Sequence, residues 1–268
     1  MNSTFLVTRV IPPVFRDARR PQRLIERSIM VYRRTWMILV SGFFEPLFYL
    51  LSIRIGFGSL VGDVRFGGRT MSYARFVAPA LMASSAMNGA VYDSTMNIFF
   101  KLRHERLYDA VLASPLGSKD VALGEIGWAL IRGTIYSTVF LGCLVGLGMT
   151  DSPWVVLALP ACMLIGLAFA SVGMAATTFM RSWVDFEWVQ TVVLPLFLFS
   201  ATFYPLSSYG RFGWIVQISP LYHGVALVRA ASLGAASWGI VVHVAYLTAI
   251  AVGGLSVAAR RIDQLLLK

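Results

Sequence analysis

The 268-residue chain is 57% hydrophobic and only 13% charged, with a mean hydropathy of +0.70. That balance excludes an ordinary soluble domain and indicates a membrane protein. Lys and Arg outnumber Asp and Glu by 23 to 13, but long uncharged stretches separate them, so the excess marks loops facing the cytoplasm and anionic lipid, not a nucleic-acid surface.

In chain order, Arg9, Arg16, Arg19, Arg20, Arg23, Arg27, Arg33 and Arg34 precede the first long apolar run, which begins near Trp36. A cleaved signal peptide does not have this arrangement, so the mature protein is expected to keep its whole length. At about 100° per residue from Leu24, the residues Leu24, Ile25, Ser28, Ile29, Tyr32 and Trp36 fall within about 0 to 140°, and Arg23, Glu26, Arg27, Arg33 and Arg34 within about 180 to 300°. Met30 and Val31 do not fit either face. The pattern predicts a basic amphipathic helix in the membrane interface, with a solvated basic arm as the alternative.

A bilayer core of about 30 Å needs about 20 apolar residues in a helix. Six windows qualify: Trp36 to Ile55, interrupted by Glu45; Phe76 to Ile98, interrupted by Asp93; Gly127 to Met149, with Arg132 near its start; Trp154 to Met180; Trp188 to Tyr204; and Trp238 to Ala259. A seventh stretch, Gly213 to Leu233, is broken by Pro220, His223 and Arg229 and reads as re-entrant or interfacial. The bias of Lys and Arg in short loops then orients the chain. Besides the eight N-terminal arginines, Lys101, Arg103, Arg106, Lys119, Arg181, Arg260, Arg261 and Lys268 lie on one side, against Arg65, Arg69, Arg75, Arg211 and Arg229 on the other. Both termini are expected in the cytoplasm.

The longest cytoplasmic connection, Lys101 to Glu125, reads as two short helices around a break at Ser114-Pro115, with Ser118 as N-cap of the second and Asp120 in its first turn. Tyr108, Val111 and Leu112 form an apolar patch among charges. That patch suits docking on another protein, the alternative being packing on the chain's own helices.

No phosphate-binding loop exists; Gly117-Ser118-Lys119 lacks both the upstream glycine and the following hydroxyl residue, so ATP is not bound by that route. No metalloprotease pair or nucleophile elbow exists either, which argues against an enzyme. Cys143 and Cys162 read as small core residues. His243, alone in the sixth span, reads as a packed or hydrogen-bonded residue. Glu45, just before Pro46, and Asp93 are intramembrane acids that either pair structurally, Glu45 with Arg132 for example, or touch a translocation path. Asp93 lies near enough to Lys101 to face cytoplasmic water. Gly142, Gly146, Gly166 and Gly173 are spaced for close helix packing.

Several motifs carry a resemblance over nearly the whole chain. They are Phe44-Glu45-Pro46-Leu47-Phe48-Tyr49-Leu50, Phe76-Val77-Ala78-Pro79-Ala80-Leu81-Met82, Tyr108-Asp109-Ala110-Val111-Leu112-Ala113-Ser114-Pro115-Leu116, Phe203-Tyr204-Pro205-Leu206 and Ile218-Ser219-Pro220-Leu221-Tyr222-His223-Gly224. With them the chain resembles the type-2 ABC exporter permeases, in the branch of lipo-oligosaccharide (nodulation-factor) and drug exporters. Glu45 departs from the Asn expected before the proline.

The resemblance implies an all-α integral membrane protein: residues 1–35 form a cytoplasmic tail and connecting helix, and residues 36–268 a six-span domain with a re-entrant outer segment at about 205–233. It implies a cytoplasmic-membrane location, a second permease copy, most simply a homodimer, and a separate ATP-binding subunit that holds the ATP and magnesium. The loop at about 101–118 resembles the family's coupling helix, with Arg103, Arg106, Leu107, Tyr108, Val111, Leu112 and Pro115 as the residues that meet that partner. Phe44, Glu45, Phe48, Tyr49, Asp93, Phe199 and Phe203 are candidates to line the path of an amphipathic substrate, a glycolipid, lipo-oligosaccharide or hydrophobic drug. An ion-coupled transporter using Glu45, Asp93 and His243 is the competing expectation, weakened by the lack of an inverted repeat.

Overall fold

Long apolar stretches without charge leave the backbone no partner but itself, and the chain accordingly folds as helices. The computed structural model describes residues 20–34, 37, 44–104, 108, 116–150, 152–235 and 237–266. Helix α1 (Arg20–Arg34) is followed by α2 (Phe44–Ser52), which continues through a π-helical turn, Ile53–Phe57, into Gly58–Val61. A hairpin of β1 (Asp63–Phe66) and β2 (Arg69–Ser72) comes next, then α3 (Tyr73–Tyr92), which runs on through π turns at Asp93–Asn97 and Phe100–His104. The remaining helices are α4 (Ser118–Gly146), α5 (Ala158–Thr177), α6 (Phe186–Leu198), α7 (Gly213–Ile218), α8 (Pro220–Leu233) and α9 (Gly239–Leu266).

Three helices among the described residues are long and apolar enough to cross a membrane: Lys119–Gly146, Pro153–Thr177 and Gly239–Leu265. They match the third, fourth and sixth windows. The third begins earlier than its window because the second short helix expected in the loop is the first turns of α4. Its N-cap is Gly117 rather than Ser118, and the Asp120 carboxylate accepts the Gly117 N–H at 2.9 Å. The fifth window was expected to reach Tyr204, but α6 ends at Leu198, and Ala201 adopts a left-handed φ of 55°. Pro195 and Pro205 flank that bend. The start of the first window and the Ser114-Pro115 break lie outside the described residues.

The β-hairpin was not foreseen. Gly67 and Gly68, with φ of 58° and 76°, form a turn that only glycine adopts without strain, and Val64, Phe66 and Met71 pack from it onto the core. Its signal, Gly-Gly between short apolar alternations, is present in the sequence.

Helix α5 is the centre of the bundle and packs against α9, α3, α4 and α8. Gly254 of α9 rests on the α5 backbone: an added Cβ would lie 2.8 Å from Ser171 C and Val172 N. Gly166 and Gly173 do face neighbours, Leu130 and Ser94 respectively, whereas Gly142 and Gly146 meet nothing within 4 Å. Cys162 is buried and Cys143 half-buried, both as free thiols.

At the hairpin end, Arg229 of α8 is buried and its guanidinium donates to the carbonyls of Phe76 (3.3 Å) and Ala201 (3.0 Å), stacking over Phe76 and Phe66. One side chain thus ties the hairpin, α3, the bend after α6 and α8 together. The charge bias counts it among the residues of the outer side. The Phe76 ring takes the cation's face and the carbonyls its N–H groups, which is how a buried guanidinium is tolerated. His223 and His243, far apart in sequence, meet with Nδ1 atoms 2.7 Å apart. His223 Nε2 lies 2.9 Å from the Gln217 carbonyl, so it carries the hydrogen; in the neutral pair His243 Nδ1 is then the donor to His223 Nδ1.

Gly254→Ala is expected to lose about 1–3 kcal/mol of stability, because rigid backbone must shift. Gly253→Ala, with nothing within 4 Å, should leave it unchanged or slightly raised. Thermal unfolding of the two variants in detergent checks the difference.

Candidate functional site

Charges inside an apolar bundle are costly unless paired, so the place where several meet identifies a site. Asp93 begins the first π turn of α3, and its carboxylate pairs with the Arg132 guanidinium of α4; both side chains are buried. Arg132 also donates to the Tyr32 hydroxyl of α1 at 3.0 Å and lies over the rings of Tyr32 and Tyr136, at 5.5 Å and 5.8 Å. Burial pushes the Tyr32 phenol up, opposed by the guanidinium, so its hydroxyl remains a neutral acceptor. Two turns nearer the α4 start, Lys101 and Glu125 form a second ion pair at 2.6 Å, with Glu125 buried. The cluster carries two positive and two negative charges and is neutral as a unit.

Local structure aims these groups. A π turn adds a residue to the helical circuit and leaves a carbonyl without its regular partner. Here the Thr177 hydroxyl of α5 donates to the Ser94 carbonyl at 2.9 Å, and Gly173 gives the Ser94 side chain room. Helix α1 is seated by two glycines of α4: an added Cβ on Gly124 would lie 2.8 Å from Leu24 Cβ, and one on Gly127 would lie 2.9 Å from Ile25 Cδ1. Tyr32 then lies against Trp128, ring centroids 5.0 Å apart and planes tilted by 41°. Leu24, Ile25, Ser28 and Tyr32 of the apolar face of α1 therefore pack on protein, while Ile29 of the same face is exposed.

Asp93 faces Arg132 and not free water, being 5% exposed. The Glu45 side chain lies outside the described residues, so its expected contact with Arg132 is not described. Asp93 and His243 belong to separate clusters at opposite ends of the bundle, each with its own partner.

Of the loop residues, Tyr108 is buried in the chain's own core at 2% exposure, so its side chain is not part of a free surface patch. Arg103 falls in the turn Phe100–His104, with its side chain outside the described residues; Arg106, Leu107, Val111, Leu112 and Pro115 lie wholly outside them.

Four of the five aromatic candidates meet other rings. Phe44 stacks on Phe48 at 5.9 Å, Tyr49 meets Phe197 at 6.4 Å, and Phe197 meets Phe203 at 5.2 Å. Phe44, Phe48, Tyr49 and Phe199 are exposed and Phe203 is half-buried. Sequence reasoning missed Tyr32 as an Arg132 ligand, the Lys101–Glu125 pair and Thr177. No spacing in the sequence relates residues 100 positions apart, although an acid and a base in facing apolar windows were a usable signal.

Asp93→Asn should cost about 3–5 kcal/mol, because it strands a buried guanidinium, whereas Asp93→Asn/Arg132→Met should cost less than either single change. Tyr32→Phe should cost about 1–3 kcal/mol. A double-mutant cycle by thermal unfolding checks all three, and additive losses at Asp93 and Arg132 would contradict the pairing.

The ABC-2 type transporter family pattern matches residues 22–233. The chain is 30% identical over 234 residues to Nodulation protein J of Rhizobium meliloti (strain 1021), covering 84% of this chain and 88% of that protein. It is 32% identical over 216 residues to Nodulation protein J of Rhizobium leguminosarum bv. trifolii, covering 77% and 81%. Inner membrane transport permease YadH of Escherichia coli (strain K12) is 26% identical over 217 residues, covering 78% and 80%. The chain belongs to the ABC-2 type transporter family, as the membrane-embedded permease subunit of an ABC transporter.

Proposed function

We propose that this permease is the membrane half of an ATP-driven exporter in the cytoplasmic membrane, in which a separate ATP-binding subunit drives the motion. Six spans cross the bilayer with both termini in the cytoplasm, as the excess of Lys and Arg on that side favours. The observation that carries the reading is the cluster of Asp93, Arg132 and Tyr32 with Lys101 and Glu125. It joins the connecting helix to two spans, directly beside the loop at about 101–118 that resembles a coupling helix. A push on that loop reaches α3 at its π turns and α4 through both ion pairs, so α1, α4 and the base of α3 move as one body.

Two copies of the chain face each other through α2 and α6. Helix α6 has no buried residue in the single chain, and Trp188, Val192 and Leu194 are exposed. Phe44, Phe48 and Tyr49 lie on α2 and Phe199 and Phe203 after α6, and they suit the acyl chain of an amphipathic substrate passing between copies. The resemblance to nodulation-factor exporters, together with relatives named Nodulation protein J, favours a lipo-oligosaccharide over a hydrophobic drug. At the far end α7 and α8 form a re-entrant pair: Gly224 abuts Ile165 within α5, while Gly234 lies beside Ser152 before α5 begins. ATP and magnesium belong to the partner.

Purification of the chain from its native membrane, with identification of any ATP-binding protein that accompanies it, tests the reading. Wild type should co-purify with such a protein, and Leu112→Arg should lower the recovered partner at least about tenfold while the permease melts at an unchanged temperature. A folded permease that brings down no ATP-binding protein would contradict the proposal.

A further inference from the structure

Helix α7 ends where Ser219 turns extended and Pro220 starts α8 without an N–H to offer. The last carbonyls of α7 therefore have no helical donor, and two of them are taken by side chains. The Gln217 carbonyl accepts from His223 Nε2 at 2.9 Å, and the Ile218 carbonyl accepts from the Tyr246 hydroxyl of α9. Tyr246 also stacks on the His223 ring, centroids 4.0 Å apart and planes 16° apart, while His243, one turn earlier on α9, reaches His223 Nδ1. Side chains of α9 thus hold the elbow between α7 and α8, and His223 is the residue they grip.

The hydrogens of this pair are constrained. With its Nε2–H committed to Gln217, His223 presents a lone pair at Nδ1, and His243 supplies the hydrogen between the rings. The remaining lone pair is on His243 Nε2. His223 is buried and His243 only half-buried, so that nitrogen is the one open to a proton from water. A first proton there leaves the bond standing, since the hydrogen between the rings serves whichever Nδ1 holds it. A second proton must go to the other Nδ1. Two N–H groups would then point at each other across 2.7 Å between two positive rings, and the contact cannot survive.

Among the described residues no acid lies against the pair to hold that second charge. The titratable groups on the rings are Tyr222 of α8 and Tyr246 of α9. Arg229, the other base of α8, turns to the carbonyls of Phe76 and Ala201. Helix α7 has no titratable side chain, α5 has the buried Cys162, and α3 brings Tyr73 and Arg75 to this end. Asp63 is exposed on the hairpin, while the acids of α4, α6 and α9 belong to the basic end.

We propose that the His223–His243 contact is a proton-operated latch: it holds the elbow between α7 and α8 to α9 while the pair carries at most one proton, and releases it when both rings are protonated. The inference rests on the outer placement of α7 and α8 proposed above, where the acidity of the surroundings reaches His243. Below the ordinary histidine range of about 6.5, the unfolded chain takes up two protons here and the latched chain one. The stability that the latch contributes is therefore present above that range and is lost as pH falls through it.

The test reads the melting temperature of the full-length permease in a neutral detergent from about pH 7.5 to about pH 5, for wild type, His243→Gln and His223→Gln. A glutamine amide donates or accepts according to how it is turned, so His243→Gln can bond His223 with or without an added proton. Wild type should lose about 3–5 °C more over that range than either variant. The melting temperature at the upper pH reports whether each variant is folded. The chain has three histidines, so nitrogen NMR of the wild type reads the tautomers without any substitution. At the upper pH, His243 should hold its hydrogen on Nδ1 and His223 on Nε2. The same tautomer on both rings, or an equal loss of melting temperature in wild type and a folded variant, overturns the proposal. None of these readouts uses ATP or cargo, so a permease without an ATP-binding partner would contradict the transport reading and leave the latch standing.

Discussion

The ion pair between Asp93 and Arg132 is the constraint on which the basic end of the bundle depends. Neither charge is tolerable alone in an apolar interior, and together they require α3 and α4 to stay in one register. The π turn that begins at Asp93 is kept in order by α5, through the Thr177 hydroxyl on the Ser94 carbonyl. Tyr32 extends the same pair to α1, which sits on α4 where Gly124 and Gly127 leave room for Leu24 and Ile25. Four elements thus converge on two charges.

The opposite end is built on a different solution to the same problem. Arg229 forms its described hydrogen bonds to carbonyl oxygens, with aromatic rings over its face, so the cation organises backbone instead of pairing with an acid. The His223–His243 contact joins α8 to α9 by a hydrogen bond between neutral rings in the arrangement that the Gln217 carbonyl imposes. The basic end is held by two ion pairs, and the hairpin end by a buried cation on backbone carbonyls and a pair of histidines.

Composition and uncharged windows made the membrane character and the long helices legible, because burial in lipid leaves little choice of secondary structure. The motifs around Glu45-Pro46, Ser114-Pro115 and Ser219-Pro220 carried the family. What stayed hidden were facts that depend on three-dimensional neighbours. The amphipathic pattern of α1 identified its apolar face correctly but could not say whether protein or lipid covers it, since Leu24 meets either surface equally well. Tyr108 looked like a docking residue because it sits among charges, and it is buried in the core. The early end of α6 follows from Pro195 and the strained Ala201, and a hydropathy window is blind to both. Intramembrane charges were recognised, while their pairing needed the register of α3 against α4.

The central claim is that α1 and α4 move as one unit when the ATP-binding subunit drives the permease. A reversible cross-link between Ile25→Cys and Gly127→Cys, in a chain whose native Cys143 and Cys162 are replaced, measures this directly. A Cβ on Gly127 would lie 2.9 Å from Ile25 Cδ1 and 3.7 Å from its Cγ1, so the two positions face each other across the contact between α1 and α4. The account predicts that the oxidised, locked permease, reconstituted with its partner, retains ATP-driven export at the level of its reduced form. Export abolished by the disulfide and restored on its reduction would show that α1 must part from α4, and would contradict the account.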